Sequence, residues 1–564
     1  VGEGHGHRGH RPAAGVERVR AADPALELVD LAGEVPVVLQ GEVGRAHVLV
    51  ALAVGAVLRF FHLDRQPQGI HPDEALYGYE GWSIMSTGCD YRRTGCPPLY
   101  LKGYSTDWDN RTSVLYPYLY SVLWRFLPMT IFFIRLPSVL IGLGVIVLTY
   151  LLGRRLFLSQ PLVAGAAALL TALSPLAISW SRVGHDPITV PFLTLVIALS
   201  ILRTPAQPRW WLLAGLALAV GLYGYQPFKF VGPGIALLSL WYVKPSWTKQ
   251  YRRWFIVAAV LGVAAATPFL INQITNWSIL QRQFNGITIL RLHLGWLRVF
   301  WNVDLYLINQ ITNPATWLAF VPFAAAAAVM IFWRSQRRTV VYCLWWLAIA
   351  LVPVLITYWL PGNNEMQSRG LGITGPYEIL AAAGIVYLIM RWRQWASRLG
   401  RTVAIGLLTV FMAGQILLSG LVNQAWGGWC CFVLGGMERV AAVIRQPPYA
   451  DRRVVIERFH FMQGVNLLWT MKIPPHELQS QSTDWQVWQD NQQSKADVAT
   501  RVDRFSFCYT DVCFRPGDGA LYVVPADLLQ QLPTVATFNL HFYRSVWPWK
   551  IVDNAPLPAD RFKE

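Results

Sequence analysis

Eleven predominantly apolar stretches recur between residues 46 and 420, and this recurrence limits the fold more than any other feature of the chain. Hydrocarbon offers no partner for a peptide N–H or C=O, so about 20 apolar residues can cross a bilayer only as a helix. The candidates lie at 46–63, 132–152, 161–180, 187–203, 210–224, 230–244, 254–272, 315–333, 339–359, 373–390 and 402–420. The stretches at 210–224 and 230–244 are short enough to form one disturbed pair. Composition agrees with a membrane protein. The 564 residues are 54% hydrophobic and 14% charged, where soluble domains carry about 25% charged residues. Mean hydropathy is +0.35. A disordered chain and an ordinary soluble enzyme are both excluded.

The chain is nevertheless basic, with 48 Lys and Arg against 32 Asp and Glu and a net charge of +16. Such a charge serves either nucleic-acid binding or orientation in a membrane, and its location decides which. With the N-terminus cytoplasmic, fifteen cations fall in inside loops and span ends: Arg154, Arg155, Arg203, Arg209, Lys244, Lys249, Arg252, Arg253, Arg334, Arg337, Arg338, Arg391, Arg393, Arg398 and Arg401. The short outside loops hold three, Arg182, Lys229 and Arg369. The asymmetry follows the positive-inside rule and leaves no basic patch for nucleic acid. The expectation is a multi-pass plasma (inner) membrane protein whose C-terminal domain is extracytoplasmic.

Three larger segments then face outward: a first loop at 64–131, a loop at 273–314 and a tail at 421–564. Cys89 and Cys96 in the first loop, and Cys508 and Cys513 in the tail, stand close enough to form disulfides on an oxidising side or to remain free thiols. Cys343 reads as packing within a span, and Cys430 and Cys431 have no assignable role. In the tail, RVVIE (453–457) and ALYVV (520–524) read as buried strands between polar stretches, giving a small α/β domain. Residues 1–45, with His5, His7 and His10, read as a disordered or non-native extension, and 46–63 as an uncleaved signal-anchor helix. The resulting division is 1–45, a transmembrane region 46–420, and the domain 421–564.

Acidic residues are scarce in the membrane part, so their positions inform. HLDRQPQGIHPDEALYGYEGWSI (62–84) places Asp73 and Glu74 behind Pro72 at a helix start, where the dipole favours an ionised carboxylate. Asp73 is there either a chemical group or a helix cap. The turn SWSRVGHDPITVPF (179–192) adds Arg182, His185 and Asp186 between two apolar helices. Two Asp-containing helix starts on one side of the membrane suit a shared carboxylate-lined pocket. His71 and His185 beside these acids are compatible with a divalent metal, although their spacing matches no strict signature.

The Asp73-Glu74 pair, followed by VLYPYLYSVLWRF and IFFIRLPSVLIGLGVIVLTYLLGRRLF within 114–157, resembles the polyprenyl-phosphate-sugar glycosyltransferases of the GT-C membrane fold. Within that class the segments are most similar in kind to those of the protein O-mannosyltransferases and the lipid A aminoarabinose transferases. Leu115-Tyr116-Pro117-Tyr118 and Arg135-Leu136-Pro137-Ser138 carry the likeness most strongly. YGYQPFKFVGP (223–233, with Tyr225) and MQSRGLGITGPYEILAAAGI (366–385) carry it more loosely, over about 46–390 in all. The resemblance implies an α-helical polytopic enzyme with about eleven spans that inverts at the anomeric carbon on the extracytoplasmic side. Asp73 would be the general base, Glu74 and Asp186 would orient the acceptor or the sugar, and Tyr225 and His185 would contact substrate. Lys229 and Arg369 are the cations for the leaving polyprenyl phosphate, with Arg182 either joining them or pairing with Asp186. Each cation also fits a side chain snorkelling to the headgroups.

Lys229 departs from the Arg frequent in the family and binds phosphate without a bidentate fork. The insertion CDYRRTGCPPLYLKGYSTDWDN (89–110) is also unusual. Its Tyr100, Tyr104 and Trp108 suit either sugar stacking or an interfacial belt. The sequons at Asn110 and Asn276 point to nothing by themselves. Expected partners are a polyprenyl-phosphate-linked sugar, a protein, glycolipid or polysaccharide acceptor, and membrane lipids. No cofactor is demanded. A transporter or lipid flippase is the competing reading, but it predicts repeated halves and midplane sites, whereas these acids gather at one face. A non-catalytic subunit or sensor, whose C-terminal domain binds a partner, would not need the two carboxylates.

Overall fold

A computed structural model describes residues 37–102 and 111–275, except positions 68, 92, 94, 100, 159 and 245–247, together with 334–358 and 370–395. In the C-terminal part it describes 434–457, 463–480, 500–508 (except 503), 514–542 and 545–554, and singly Gly2, Val329 and Gly414. The expectations for residues 1–36, almost all of the spans 315–333 and 402–420, Arg369, Cys430, Cys431, Cys513, Tyr100, Tyr104, Trp108 and the two sequons lie outside these residues. The chain divides into two units, 1–43 and 44–564, and the second contains nearly all of the described residues.

Helix α1 (Val37–Phe60) leads to two helices in the first loop, α2 (Pro72–Thr87) and α3 (Leu115–Leu123), with a two-residue ribbon β1 (Leu101–Lys102) and β2 (Arg111–Thr112) between them. The apolar body follows as α4 (Ile131–Leu156), α5 (Pro161–Leu173), α6 (Pro175–Ser181), a 3-10 turn Asp186–Ile188, α7 (Thr189–Arg203), α8 (Trp210–Leu222), α9 (Phe228–Val243), α10 (Lys249–Thr275), α11 (Arg337–Tyr358) and α12 (Pro376–Trp395). Local chemistry sets these limits. Thr130 Oγ1 accepts the Phe133 N–H to start α4, and Gly88 ends α2 in the left-handed conformation. Pro175 breaks the expected 161–180 span into α5 and α6, bent by 56°.

Among the described residues three helices are long and apolar enough to cross a membrane: Ile131–Leu156, Asp186–Arg203 and Lys249–Ile271. The bent α5–α6 pair makes a fourth, and Ala46–Phe60, Trp210–Leu222, Phe228–Val243 and Pro376–Met390 are shorter apolar helices. For the expected spans other than 315–333 and 402–420, described helices thus stand where hydropathy places them, although several fall short of a full span by themselves.

The C-terminal domain adds β3 (Leu434–Gly435), α13 (Met437–Ile444), β4 (Val454–Glu457), α14 (Gln463–Met471), α15 (Pro475–Ser480), β5 (Thr500–Val502), β6 (Phe505–Cys508), β7 (Leu521–Pro525), β8 (Thr534–Phe542) and β9 (Ser545–Asp553). One mixed sheet results, ordered β3-β8-β9-β7-β4-β6-β5, with β4 parallel to both β6 and β7. Side chains alternate across a strand, and both faces of β4 are covered, which is why VVI reads as an unbroken apolar run. Val454 and Ile456 join α13 and α14 in a core that continues into α2 and α3. Val455 packs on the other face with Tyr522 and Val552. Cys89 and Cys96 form a disulfide, and Cys343 is free and buried.

Candidate active site

The site begins with how α2 starts. Pro72 occupies the first turn, His71 Nδ1 accepts the Asp73 N–H at 3.0 Å, and Glu74 Oε2 accepts the His71 N–H at 2.7 Å. This is a capping box with His in the place usually held by Ser or Thr. The capping role therefore falls to His71, and the Asp73 carboxylate is released for other contacts.

Asp73 Oδ2 lies 2.5 Å from His185 Nε2 and 3.6 Å from His71 Nδ1. The second ring nitrogen of His185, Nδ1, is 2.7 Å from Asp186 Oδ1. One imidazole thus bridges the two carboxylates that lie on separate helix starts. Tyr77, one turn beyond Asp73, donates to Asp186 Oδ1 over 3.4 Å. Asp186 Oδ2 is buried with no hydrogen-bond partner among the described residues. His185 stands among the rings of His71, Trp180, Tyr77 and Tyr225, with centroids 5.3, 5.7, 5.7 and 6.0 Å away.

Burial disfavours the charged form of His185, but Asp73 and Asp186 outweigh it and hold the imidazolium well above the usual histidine range. Burial dominates at His71 and lowers it to about 4, so it stays neutral and able to accept through Nδ1. Tyr77 is pushed well above 10 by burial and by the neighbouring carboxylates, and remains a donor.

Glu74 is different from its neighbour. Its Oε1 accepts from Arg135 Nε (3.0 Å) and from the Gly184 N–H (2.6 Å), while Oε2 takes the His71 N–H and Arg135 Nη2 (3.3 Å). Arg135 also donates to the carbonyls of Leu63, Pro67 and Gly69. Burial raises the Glu74 carboxyl, yet Arg135 and the two backbone N–H groups prevail and hold it below the ordinary range. The sequence places Arg135 in a family-like segment but does not reveal this pairing. The available signal was a cation near the start of an apolar helix, which needs a partner.

Arg182 does not pair with Asp186. It donates to the carbonyls of Leu58, Arg59, Phe61, His62 and Gln66, satisfying the open C-terminal end of α1. Lys229 sits in the first turn of α9, where Nζ donates to Gln226 and lies 4.7 Å from the Phe269 ring. The preceding turn is fixed to α3, because Tyr223 O accepts from Val114 N, Leu115 N and Ser113 Oγ.

The donors of His71, Asp73 and His185 lie within 4.8 Å of one another. Two imidazoles and a carboxylate fit a divalent cation of borderline softness, at the cost of the proton that His185 carries, since ligating nitrogens must be free. Access separates the acids: the Asp73 side chain is 16% exposed, Asp186 1% and Glu74 0%.

Gly184 is enclosed, and a Cβ there would stand 2.5 Å from Ile134 O and 2.8 Å from Tyr120 Oη. Gly184→Ala is expected to displace the His185 turn and raise its amide-exchange rate by about 10-fold, measured by hydrogen exchange on folded protein. An unchanged rate would show that the turn tolerates the shift.

The fold is that of a GT-C membrane protein. It matches ArnT from Cupriavidus metallidurans in the apo state with a TM-score of 0.55 and 14% identity, covering 91% of this chain and 99% of that one. The same protein bound to undecaprenyl phosphate gives 0.54 and 13%, with the same coverage. The Archaeoglobus fulgidus oligosaccharyltransferase in complex with Zn and sulfate gives 0.45 and 13%, over 75% of this chain and 61% of that one. In sequence, residues 112–272 match the family described as dolichyl-phosphate-mannose-protein mannosyltransferase. No curated protein matches the chain in sequence.

Proposed function

We propose that the protein is an inverting glycosyltransferase that moves a sugar from a polyprenyl-phosphate donor to an acceptor hydroxyl at the extracytoplasmic face of the membrane. One observation carries the reading. Of three clustered carboxylates only Asp73 is open, and it is held ready at a helix start by His185. The match of 112–272 to a lipid-phosphate mannosyltransferase family and the fold shared with ArnT, one structure of which holds undecaprenyl phosphate, support the same class.

In this reading Asp73 accepts the proton of the acceptor hydroxyl as its oxygen forms a bond to the anomeric carbon. The bond from that carbon to the phosphate oxygen breaks, and polyprenyl phosphate leaves with the electron pair. Asp186 directs its free Oδ2 to a hydroxyl of the bound substrate, and Tyr225 lines the same place. Glu74 acts by holding α2, the 63–69 segment and the Gly184 turn in register. Lys229 offers positive charge to the leaving phosphate, a role that the sequence suggests for Arg369 as well. Arg182 keeps α1 and the turn together. A divalent cation, if bound, would be held by His71, Asp73 and His185 and would supply Lewis acidity.

The test uses purified full-length protein in lipid with radiolabelled polyprenyl-phosphate sugars and candidate acceptors. Label should pass to an acceptor hydroxyl with inverted configuration, and Lys229→Ala should raise the donor KM by about 10-fold with a smaller change in kcat. Absence of transfer from every polyprenyl donor, or movement of intact donor across the bilayer, would reject the reading in favour of a flippase.

A further inference from the structure

The contacts of the C-terminal domain reach the site through three aromatic side chains. Trp469 on α14 is buried, and its ring lies 5.9 Å from that of Trp124. Trp124 stacks on Tyr120 at 5.2 Å with planes 9° apart, and its Nε1 donates to Gly78 O on α2 at 2.9 Å. The Tyr120 hydroxyl donates to Ile134 O and stands 3.4 Å from Gly184 O. Gly184 is thus contacted at both backbone groups, its carbonyl facing Tyr120 and its N–H donating to Glu74. The next residue is His185. Gly78 lacks a Cβ where the Trp469 ring passes, since one would meet that ring at 2.5 Å.

We propose that Trp469, Trp124 and Tyr120 are positioning residues, through which the docked C-terminal domain holds the Gly184–Asp186 turn in its working geometry. A role for the domain in turnover is thereby assigned to named side chains. The domain is fastened to α2 by other bonds as well. Tyr79 Oη donates to Ile473 O at 2.7 Å, and Gln479 Nε2 donates to Ser83 Oγ, Thr87 Oγ1 and Asp90 O. Lys472 Nζ reaches Met129 O. These bonds do not involve the Trp469 ring, so truncating it removes the tilted ring contact with Trp124 that backs the Trp124–Tyr120 stack, while leaving the docking bonds.

The kinetic part rests on the transferase reading, so the test has two arms. Hydrogen exchange of the full-length protein in lipid is compared for wild type, Trp469→Ala, Trp469→Phe and Tyr120→Phe, with turnover measured on the same samples. In Trp469→Ala, exchange of the peptide 182–188 should rise by about 10-fold while β4 and β7 keep wild-type protection. Turnover should fall about 10-fold with donor KM within about two-fold. Trp469→Phe should restore more than half of both, and Tyr120→Phe, which loses only the hydroxyl, should show the same pattern more weakly. Unchanged exchange at 182–188, or raised exchange with unchanged turnover, overturns the proposal. If Trp469→Ala fails to fold, Tyr120→Phe decides on the same criteria. If exchange responds but even the wild type transfers no sugar, the transferase reading falls, while the structural hold on the turn stands.

Discussion

Asp73→Asn is expected to lower turnover by about 10³-fold, the middle of the range in which a positioned general base contributes. The substitution keeps the shape of the side chain and leaves the fully enclosed Glu74–Arg135 pair untouched, while Asp186 still faces the His185 ring. Donor binding and thermal stability should therefore remain close to wild type. The change also removes the leading charge that keeps His185 protonated. Single-turnover transfer with labelled donor measures the effect, and donor binding on the same sample separates chemistry from affinity. Wild-type turnover in the variant would show that another group takes the proton. Asp186→Asn, which alters a carboxylate that is 1% exposed, should cost less in turnover and more in stability.

The second large effect falls on folding. Arg135→Met leaves Glu74 charged and buried without its cation, which costs about 3–5 kcal/mol. The carbonyls of Leu63, Pro67 and Gly69 lose their donor as well. Since marginal stability is about 5–15 kcal/mol, the variant is expected to lose most of its folded yield. The double variant Glu74→Gln with Arg135→Met should recover much of it, because no uncompensated charge is then buried. Acid gives a second readout. The folded Glu74 carboxyl titrates below its ordinary value of 4.5. Its stabilisation is therefore fully present above pH 4.5 and is lost as pH falls through the lowered value. The Tm advantage of wild type over Glu74→Gln should hold at neutral pH and shrink below about pH 4.5. A pH-independent difference would assign the effect to packing.

Hydropathy revealed the apolar body because membrane helices announce themselves by run length alone. The surroundings of His185 were legible only in part. Pro72-Asp73 and Asp186-Pro187 both read as helix starts, and that shared grammar was enough to group two carboxylates. What each residue binds was not legible. Glu74 and Asp73 are adjacent and chemically alike, yet one is enclosed and the other open, a difference set by Arg135, 61 positions from Glu74. Hydropathy and charge make Arg182 one of three cations expected in short outside loops, but its guanidinium faces five carbonyls around the end of α1. His71 as a helix cap has a weak sequence signal, because Ser, Thr, Asp and Asn usually fill that position. The docking of α14 and α15 on α2 joins residues 394 apart, as in Tyr79 and Ile473, and no local pattern encodes it.

That separation also sets a schedule. Chains emerge at roughly 5–20 residues per second, so α2 waits roughly 20–80 s after its own synthesis before Ile473 exists to receive the Tyr79 hydroxyl. Throughout this interval the faces of α2 and α3 that later meet α14 have no domain to cover them. They are a natural place for a membrane-side chaperone or a degradation signal to act. Residues made well after α2 therefore pack on the helix that carries Asp73 and Glu74, and until they are made that helix lacks part of its native surroundings.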